Sequence, residues 1–158
     1  MKYIRIFLVF SIFTSLISCG GDDDICESGE GTPRMKIMFK DLVTNKLKKM
    51  DSLYVFVDYG KDTLSLGKMA NVDSVLVPLR VDDSPFTDIF VKTEWEGTTS
   101  KIKVNYTTKP VYVSPACGVK KLYENVSGNL LSPNPVLQIE NAQNTIENEN
   151  KTNMYLLF

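Results

Sequence analysis

The chain reads as an all-β protein. Three observations predict this. From Thr32 onward, apolar residues recur mostly at every second position, the period of a strand with one buried face. The runs are short, return at about ten-residue spacing, and are parted by Gly, Pro, Asp and Asn, as in sandwiches and barrels. The runs also alternate rather than staying apolar throughout, which suits antiparallel sheets with one wet face. The expected architecture is an antiparallel two-sheet β-sandwich, immunoglobulin-like or similar, in one domain over residues 32–158. A closed barrel is the alternative.

Each element follows from its residues. Arg34 to Phe39 (RMKIMF) sets Met35, Ile37 and Phe39 against Arg34, Lys36 and Met38. Leu53 to Tyr59 (LYVFVDY) is β-branched and aromatic, the composition strands prefer. Leu64 to Leu66 makes a short strand after the turn at Gly60-Lys61-Asp62. Val75, Val77 and Leu79 alternate until Asp82-Asp83-Ser84-Pro85 breaks the run. Thr87 to Trp95 places Ile89, Val91 and Trp95 on one face, which predicts a core tryptophan; an exposed platform on which a sugar stacks is the alternative. Lys101 to Tyr106 (KIKVNY) puts Ile102, Val104 and Tyr106 on one face, with charge or amide on the other. Val111 to Val113 and Val136 to Ile139 add two short strands, and Lys120 to Val126 is a candidate helix of a turn or two. Tyr112 points away from Val111 and Val113; it and Tyr59 are the candidates for an exposed aromatic. Glu140 to Asn153 holds five Asn and no sustained apolar period, so it predicts a long loop or extended hairpin. The five apolar residues Met154 to Phe158 (MYLLF) require docking. They are expected to pair inside a sheet, beside the Arg34 to Phe39 strand.

The N-terminus carries an address. Lys2 and Arg5 are followed by an uncharged, mostly apolar stretch from Ile6 to Ile17. Its 12 residues fall short of the roughly 20 a spanning helix needs and match the apolar region of a secretory signal. Leu16, Ile17 and Ser18 then precede Cys19. This resembles the bacterial lipobox, in which a small residue precedes the cysteine that carries diacylglycerol and becomes the new N-terminus. The resemblance implies a lipoprotein signal peptide over residues 1–18 and lipidation at Cys19, with an ordinary signal peptide as the alternative. Residues 19–31 form the lipidated, acidic tether. Gly20 and Gly21 make it flexible, and Asp22 to Asp24 stay hydrated. An acidic run in this place also resembles the signal that sends Bacteroidota lipoproteins to the outer face of the outer membrane; a plain solvated spacer is the other reading. The mature domain is expected at the outer membrane, on its periplasmic or cell-surface face.

Composition excludes several classes. Without Lys2 and Arg5, the remaining 16 basic and 19 acidic residues leave a net charge of −3. A general nucleic-acid binder would show a basic face instead. The chain has no histidine, which removes Ser-His-Asp and Cys-His catalysis in their usual forms and the commonest metal ligand. No metal site and no cofactor are expected. Of three cysteines, Cys19 takes lipid, and Cys26 and Cys117 remain in an exported chain. Their expected disulfide would close a loop of roughly 90 residues and contribute on the order of 4 kcal/mol; two free thiols are the alternative. Asp82 with Asp83 and Glu94 with Glu96 are the carboxylate pairs that could flank a glycosidic bond. Both flank strand ends, where acidic residues ordinarily face water. No enzymatic activity is expected.

Weaker signals remain. Lys46, Lys48 and Lys49 form a basic patch, either a solvated loop or a contact for anionic lipid. Asp51-Ser52-Leu53, Asp62-Thr63-Leu64 and Asp73-Ser74-Val75 each match the Asp-Ser/Thr-apolar pattern of O-glycosylation in Bacteroidota. That makes Ser52, Thr63 and Ser74 candidate acceptors, although Asp and Ser/Thr are also ordinary turn residues.

Taken in order, DDDIC behind Cys19, TPRMKIMF opening the first strand, VSPACG around Cys117 and a short apolar strand ending the chain resemble an uncharacterised Bacteroidota lipoprotein family of unknown function. The resemblance spans the whole mature chain. It implies the lipid anchor and the Cys26–Cys117 bridge and transfers no catalytic residue. The family's last strand usually alternates charge with apolar residues, whereas MYLLF is apolar throughout. The bridge would bring Thr32, Pro33 and Arg34 near Ser114 and Pro115, the candidate interaction patch; Pro and Gly that only shape turns are the alternative there. The function expected is a non-enzymatic envelope lipoprotein that binds or supports another outer-membrane protein. A surface glycan-binding module is the alternative.

Overall fold

The computed structural model describes residues 31–115 and 117–158. Nine strands run in chain order: β1 Met35–Lys40, β2 Leu53–Asp58, β3 Thr63–Met69, β4 Ser74–Val77, β5 Phe86–Lys92, β6 Ser100–Ser114, β7 Gly118–Ser132, β8 Gln138–Asn141 and β9 Thr152–Leu157. They form two sheets, one ordered β4-β1-β9-β8 and one ordered β3-β2-β5-β6-β7. The sheets pack as a sandwich around one core. Met35, Ile37, Phe39, Val75, Val77, Met154 and Leu156 supply one inner face. Leu53, Val55, Val57, Ile89, Val91, Ile102 and Val104 supply the other. The strict alternation of β1, β2 and the first half of β6 is what allows a two-layer core: every second side chain points inward, and the rest meet water.

The last strand lies beside the first, as its apolar run requires, and pairs parallel to it. β8 covers its other edge antiparallel, so β9 is internal. This accounts for the near-continuous burial of Asn153, Met154, Leu156 and Leu157. The β1–β9 register slips between Lys36 and Ile37, and Asn153 fills the gap. Its Oδ1 accepts from the Lys36 amide at 3.1 Å, while its Nδ2 donates to the Thr145 carbonyl at 2.9 Å. One buried amide thus repairs the ladder and holds the loop before β9.

Three sequence expectations are overturned. Lys120 to Val126 is strand, within β7. The helical i, i+3 spacing of buried Tyr123 and Val126 arises from a β-bulge. Between Asn105 and Thr107 the partner strand advances from Ser127 to Glu124, one residue more. Asn125 takes φ 55°, the left-handed conformation Asn tolerates. The extra residue returns Val126 to the inward face. Second, Val111 to Val113 is no separate strand but the continuation of β6. Third, Trp95 is outside β5 and 60% exposed. β5 ends at Lys92, so the alternation that placed Trp95 beside Val91 ends there too. The 64–66 strand is also longer, running Thr63–Met69.

Beyond the bulge, β6 and β7 leave the core. From Thr107 the alternation of β6 breaks down, and the distal halves form a two-stranded ribbon in which Tyr112 faces Val119 across the pair. The free edge of β7 is covered near its middle. The Tyr123 and Val126 amides donate to the Ile146 and Asn144 carbonyls, and the Gly128 amide donates to Asn141 Oδ1. Covering an open edge in this way prevents pairing with other chains.

Asn153→Ala is expected to lower the unfolding free energy by about 1–3 kcal/mol, since it strands the Lys36 donor and the Thr145 acceptor. Leu156→Ala is expected to lower it by about 2–5 kcal/mol. Urea midpoints at unchanged slope test both.

Candidate functional site

Residues 32–34 enter the sandwich beside the ribbon. Thr32 Oγ1 accepts the Lys121 amide at 3.0 Å, on the β7 side of the ribbon about halfway along it. Pro33 is buried, and Arg34 is turned to a different partner. Arg34 Nε and Nη2 donate to Glu149 Oε1 and Oε2 at 2.7 and 2.8 Å, and the Arg34 amide adds a bond to Oε1 at 3.2 Å. The hydrogen bonds from Arg34 hold the Glu149 carboxyl below its ordinary value, and Glu149 raises Arg34. A cavity of about 450 Å³ opens here, lined by residues that include Thr32, Arg34, Glu147 and Glu149. Ser114 and Pro115 do not line it. Ser114 caps the ribbon tip, its Oγ accepting the Cys117 amide at 3.1 Å. Thr32 is therefore joined to the middle of the ribbon, while Ser114 and Pro115 stand at its tip. Cys117 is not a free thiol. Cys26 and Cys19, the residue expected to carry lipid, lie outside the described residues.

The ribbon is the most exposed apolar feature built from regular structure. Tyr112 is 65% and Val119 58% exposed. Lys109 pairs with Glu124 at 3.3 Å, and Lys121 pairs with Asp83. The ribbon rises from the core on Tyr106 and Tyr123, whose rings meet edge-on at 5.0 Å. Burial pushes both phenols above their usual range. Tyr59, the other aromatic singled out from sequence, is only partly buried and packs against the core.

The carboxylate pairs fall at opposite ends of β5. Asp82 takes two hydrogen bonds from Arg80, and Asp83 is held by Lys121. Glu94 and Glu96 are exposed in the loop after β5. The seven residues of β5 separate one pair from the other by roughly 20 Å, so the four carboxylates do not converge in one cleft. Among the described residues no group of three or more His, Cys, Asp and Glu is arranged to hold a metal ion. Of the candidate acceptors, Thr63 is exposed at the start of β3, and Ser52 and Ser74 are half-buried. Ser74 Oγ donates to Asp73 Oδ1 at 3.0 Å.

Sequence reasoning missed the surroundings of Trp95. Its ring meets Tyr54 edge-on at 5.6 Å and Phe56 at 6.3 Å. Lys92 Nζ donates to the Trp95 carbonyl at 3.1 Å. The signal was present in β2, where Tyr54 and Phe56 have the opposite parity to Leu53, Val55 and Val57 and must therefore face outward. Lys48 and Lys49, far from Trp95 in the chain, line with Met50, Asp51, Ser52, Thr93 and Glu94 a cleft of about 310 Å³.

The arginine at the ribbon's foot predicts an acid limb. Hydrogen bonds from Arg80 lower the Asp82 carboxyl from 3.8 to about 2. A depressed carboxyl contributes stability above its unfolded value and loses it as pH falls through the folded one. The urea midpoint is expected to drop between pH 4 and pH 2. Asp82→Asn is expected to lower the midpoint at pH 6 and to flatten that drop.

No curated protein matches the chain, and no solved structure does. A family model matches residues 52–158, from the β1–β2 loop through the final strand, including the ribbon and the Trp95 loop. The chain belongs to that family, described as a family of unknown function (DUF6452).

Proposed function

We propose that this protein is a non-enzymatic, Bacteroidota-type envelope lipoprotein that binds or supports another outer-membrane protein, and that it does so with the β6–β7 ribbon. The observation that carries the reading is the ribbon itself. Two 15-residue strands continue past the core and present Tyr112 opposite Val119, both exposed. A ribbon that buries little of its own apolar surface gains that burial by docking on a partner. Tyr suits such a contact, since its ring is apolar and its hydroxyl can still hydrogen-bond.

The anchor reading supports the same geometry. Lipid on Cys19 tethers the domain, and acyl chains contribute about 0.8 kcal/mol per buried CH₂. A Cys26–Cys117 bridge joins the tether to the ribbon tip. From Cys19 to Cys26 the chain then spans at most about 25 Å, which keeps the ribbon close to the bilayer where an outer-membrane partner sits. The bond of Thr32 to Lys121, halfway along the ribbon, fits that arrangement.

Two measurements test this. Metabolic labelling with a palmitate analogue is expected to mark the wild-type chain and not Cys19→Ala. A photo-crosslinking residue at position 112 is expected to give a discrete adduct with one outer-membrane protein. The same residue at exposed Val43 is expected to give none. Equal adducts at both positions would remove the ribbon from the reading.

A further inference from the structure

We propose that the Trp95 ring and the cleft beside it form a binding site for a neutral saccharide, a function independent of the ribbon and of the lipid anchor. The outer face of the five-stranded sheet carries several aromatics. Two of them are capped: Lys101 Nζ stands 5.5 Å from the Phe90 centroid and Lys103 Nζ 4.1 Å from the Phe86 centroid. Trp95, the largest, has no such cap among the described residues and is 60% exposed.

Its position is nonetheless held. Tyr54 and Phe56 support the ring. The Lys92 ammonium binds its carbonyl, and the Gly97 amide closes the turn on the Glu94 carbonyl at 3.1 Å. A rigid, open π-face loses little freedom when a ligand stacks on it. The C–H face of a pyranose is the apolar surface that fits the negative face of an indole.

The cleft provides what the hydroxyl edge of a sugar needs. Lys48, Lys49, Asp51, Ser52, Thr93 and Glu94 line it. The lysines donate, the carboxylates accept, and the hydroxyls do both. Two positive and two negative side chains balance, so the site favours an uncharged ligand over an anionic glycan. A volume of about 310 Å³ lies at the low end of small-molecule sites. Its lining is polar apart from Met50, and its Thr93 and Glu94 lead directly into Trp95 in the chain, so a hydroxylated rim and an apolar platform adjoin, the combination a ring with one apolar face requires. A proline-rich peptide would also stack on Trp95 but would use few of these donors and acceptors.

Trp95 is the only tryptophan in the chain, so its emission reports on the ring directly. The probes are soluble xylan, galactomannan, mixed-linkage β-glucan, yeast mannan and starch, with polygalacturonate and a polyproline peptide as comparisons. The full mature chain is expected to show a saturable change in emission with at least one neutral polysaccharide and retarded migration in a gel containing it. Trp95→Ala is expected to abolish the retardation with an unchanged melting temperature. Glu94→Gln, which leaves the ring in place, is expected to weaken binding about tenfold. No response to any neutral polysaccharide overturns the proposal. So does a response confined to polygalacturonate or polyproline, or retardation that survives Trp95→Ala. Crosslinking at position 112 is unaffected by any of these outcomes.

Discussion

The pairing of the chain's last strand with its first is the constraint on which the structure depends. β9 lies parallel to β1 and antiparallel to β8, so the four-stranded sheet closes only when the C-terminal residues arrive. A parallel neighbour at the far end of the sequence has high loop-closure cost, and the core offsets it. Met154 and Leu156 enter the same cluster as Ile37 and Phe39. Phe158 adds an edge contact to Phe39 at 6.0 Å, and its amide donates to the Lys40 carbonyl. Asn153 is the polar counterpart. Placed where the β1 register slips, it satisfies the Lys36 amide and anchors the loop at Thr145. That loop reaches β7 and covers its edge through Asn144 and Ile146. The same pairing thus links the two sheets.

The second determinant is one inserted residue. The bulge at Asn125 shifts β7 by a single position against β6. On the core side of the bulge, inward parity gives Ile102 and Val104 to the sandwich; beyond it, Tyr106 and Tyr123 form the last buried pair. After them the ribbon has no second sheet beneath it. Ion pairs then take over: Lys109 with Glu124 near the ribbon's base, and Lys121 with Asp83 halfway along it. Exposed pairs of this kind contribute little stability, so the ribbon's rigidity comes from its ladder and from its fixed ends.

Much of this was legible in the residues, and the failures share a cause. Strict alternation identified β1 and the first half of β6 and the core side chains on each, because one buried face leaves no other register, while β2 was identified by its β-branched and aromatic composition alone. The burial need of MYLLF located the final strand. Misreadings occurred where the period breaks. A bulge gave Tyr123 and Val126 a helical spacing. The end of β5 at Lys92 turned an expected core tryptophan into a surface one. Val111 to Val113 seemed separate because Lys109 and Pro110 interrupt the apolar pattern, although a ribbon edge tolerates Pro. For the candidate patch, the residues named Thr32, Pro33 and Arg34 but could not name Glu149. That partner lies 115 positions away, in a polar loop without a period. The cleft by Trp95 was illegible for the same reason: its two sides come from the loops before β2 and after β5.

The two candidate sites lie at opposite poles of one strand. β6 begins just after the Trp95 loop and ends at the ribbon tip, 15 residues later, roughly 45 Å away along an extended strand. Thr32 bonds Lys121 halfway along the ribbon, so residues 32–34 lie at the ribbon's pole. Under the proposed function, a lipid on Cys19 would draw the ribbon toward the bilayer and turn the Trp95 loop away from it. The proposed saccharide site would then stand at the outer pole, within reach of long polymers, and the proposed protein contact at the inner one. The cost of two exposed apolar surfaces on one small domain is a risk of self-association. Placing them at the two ends of β6 keeps that surface from merging into one patch.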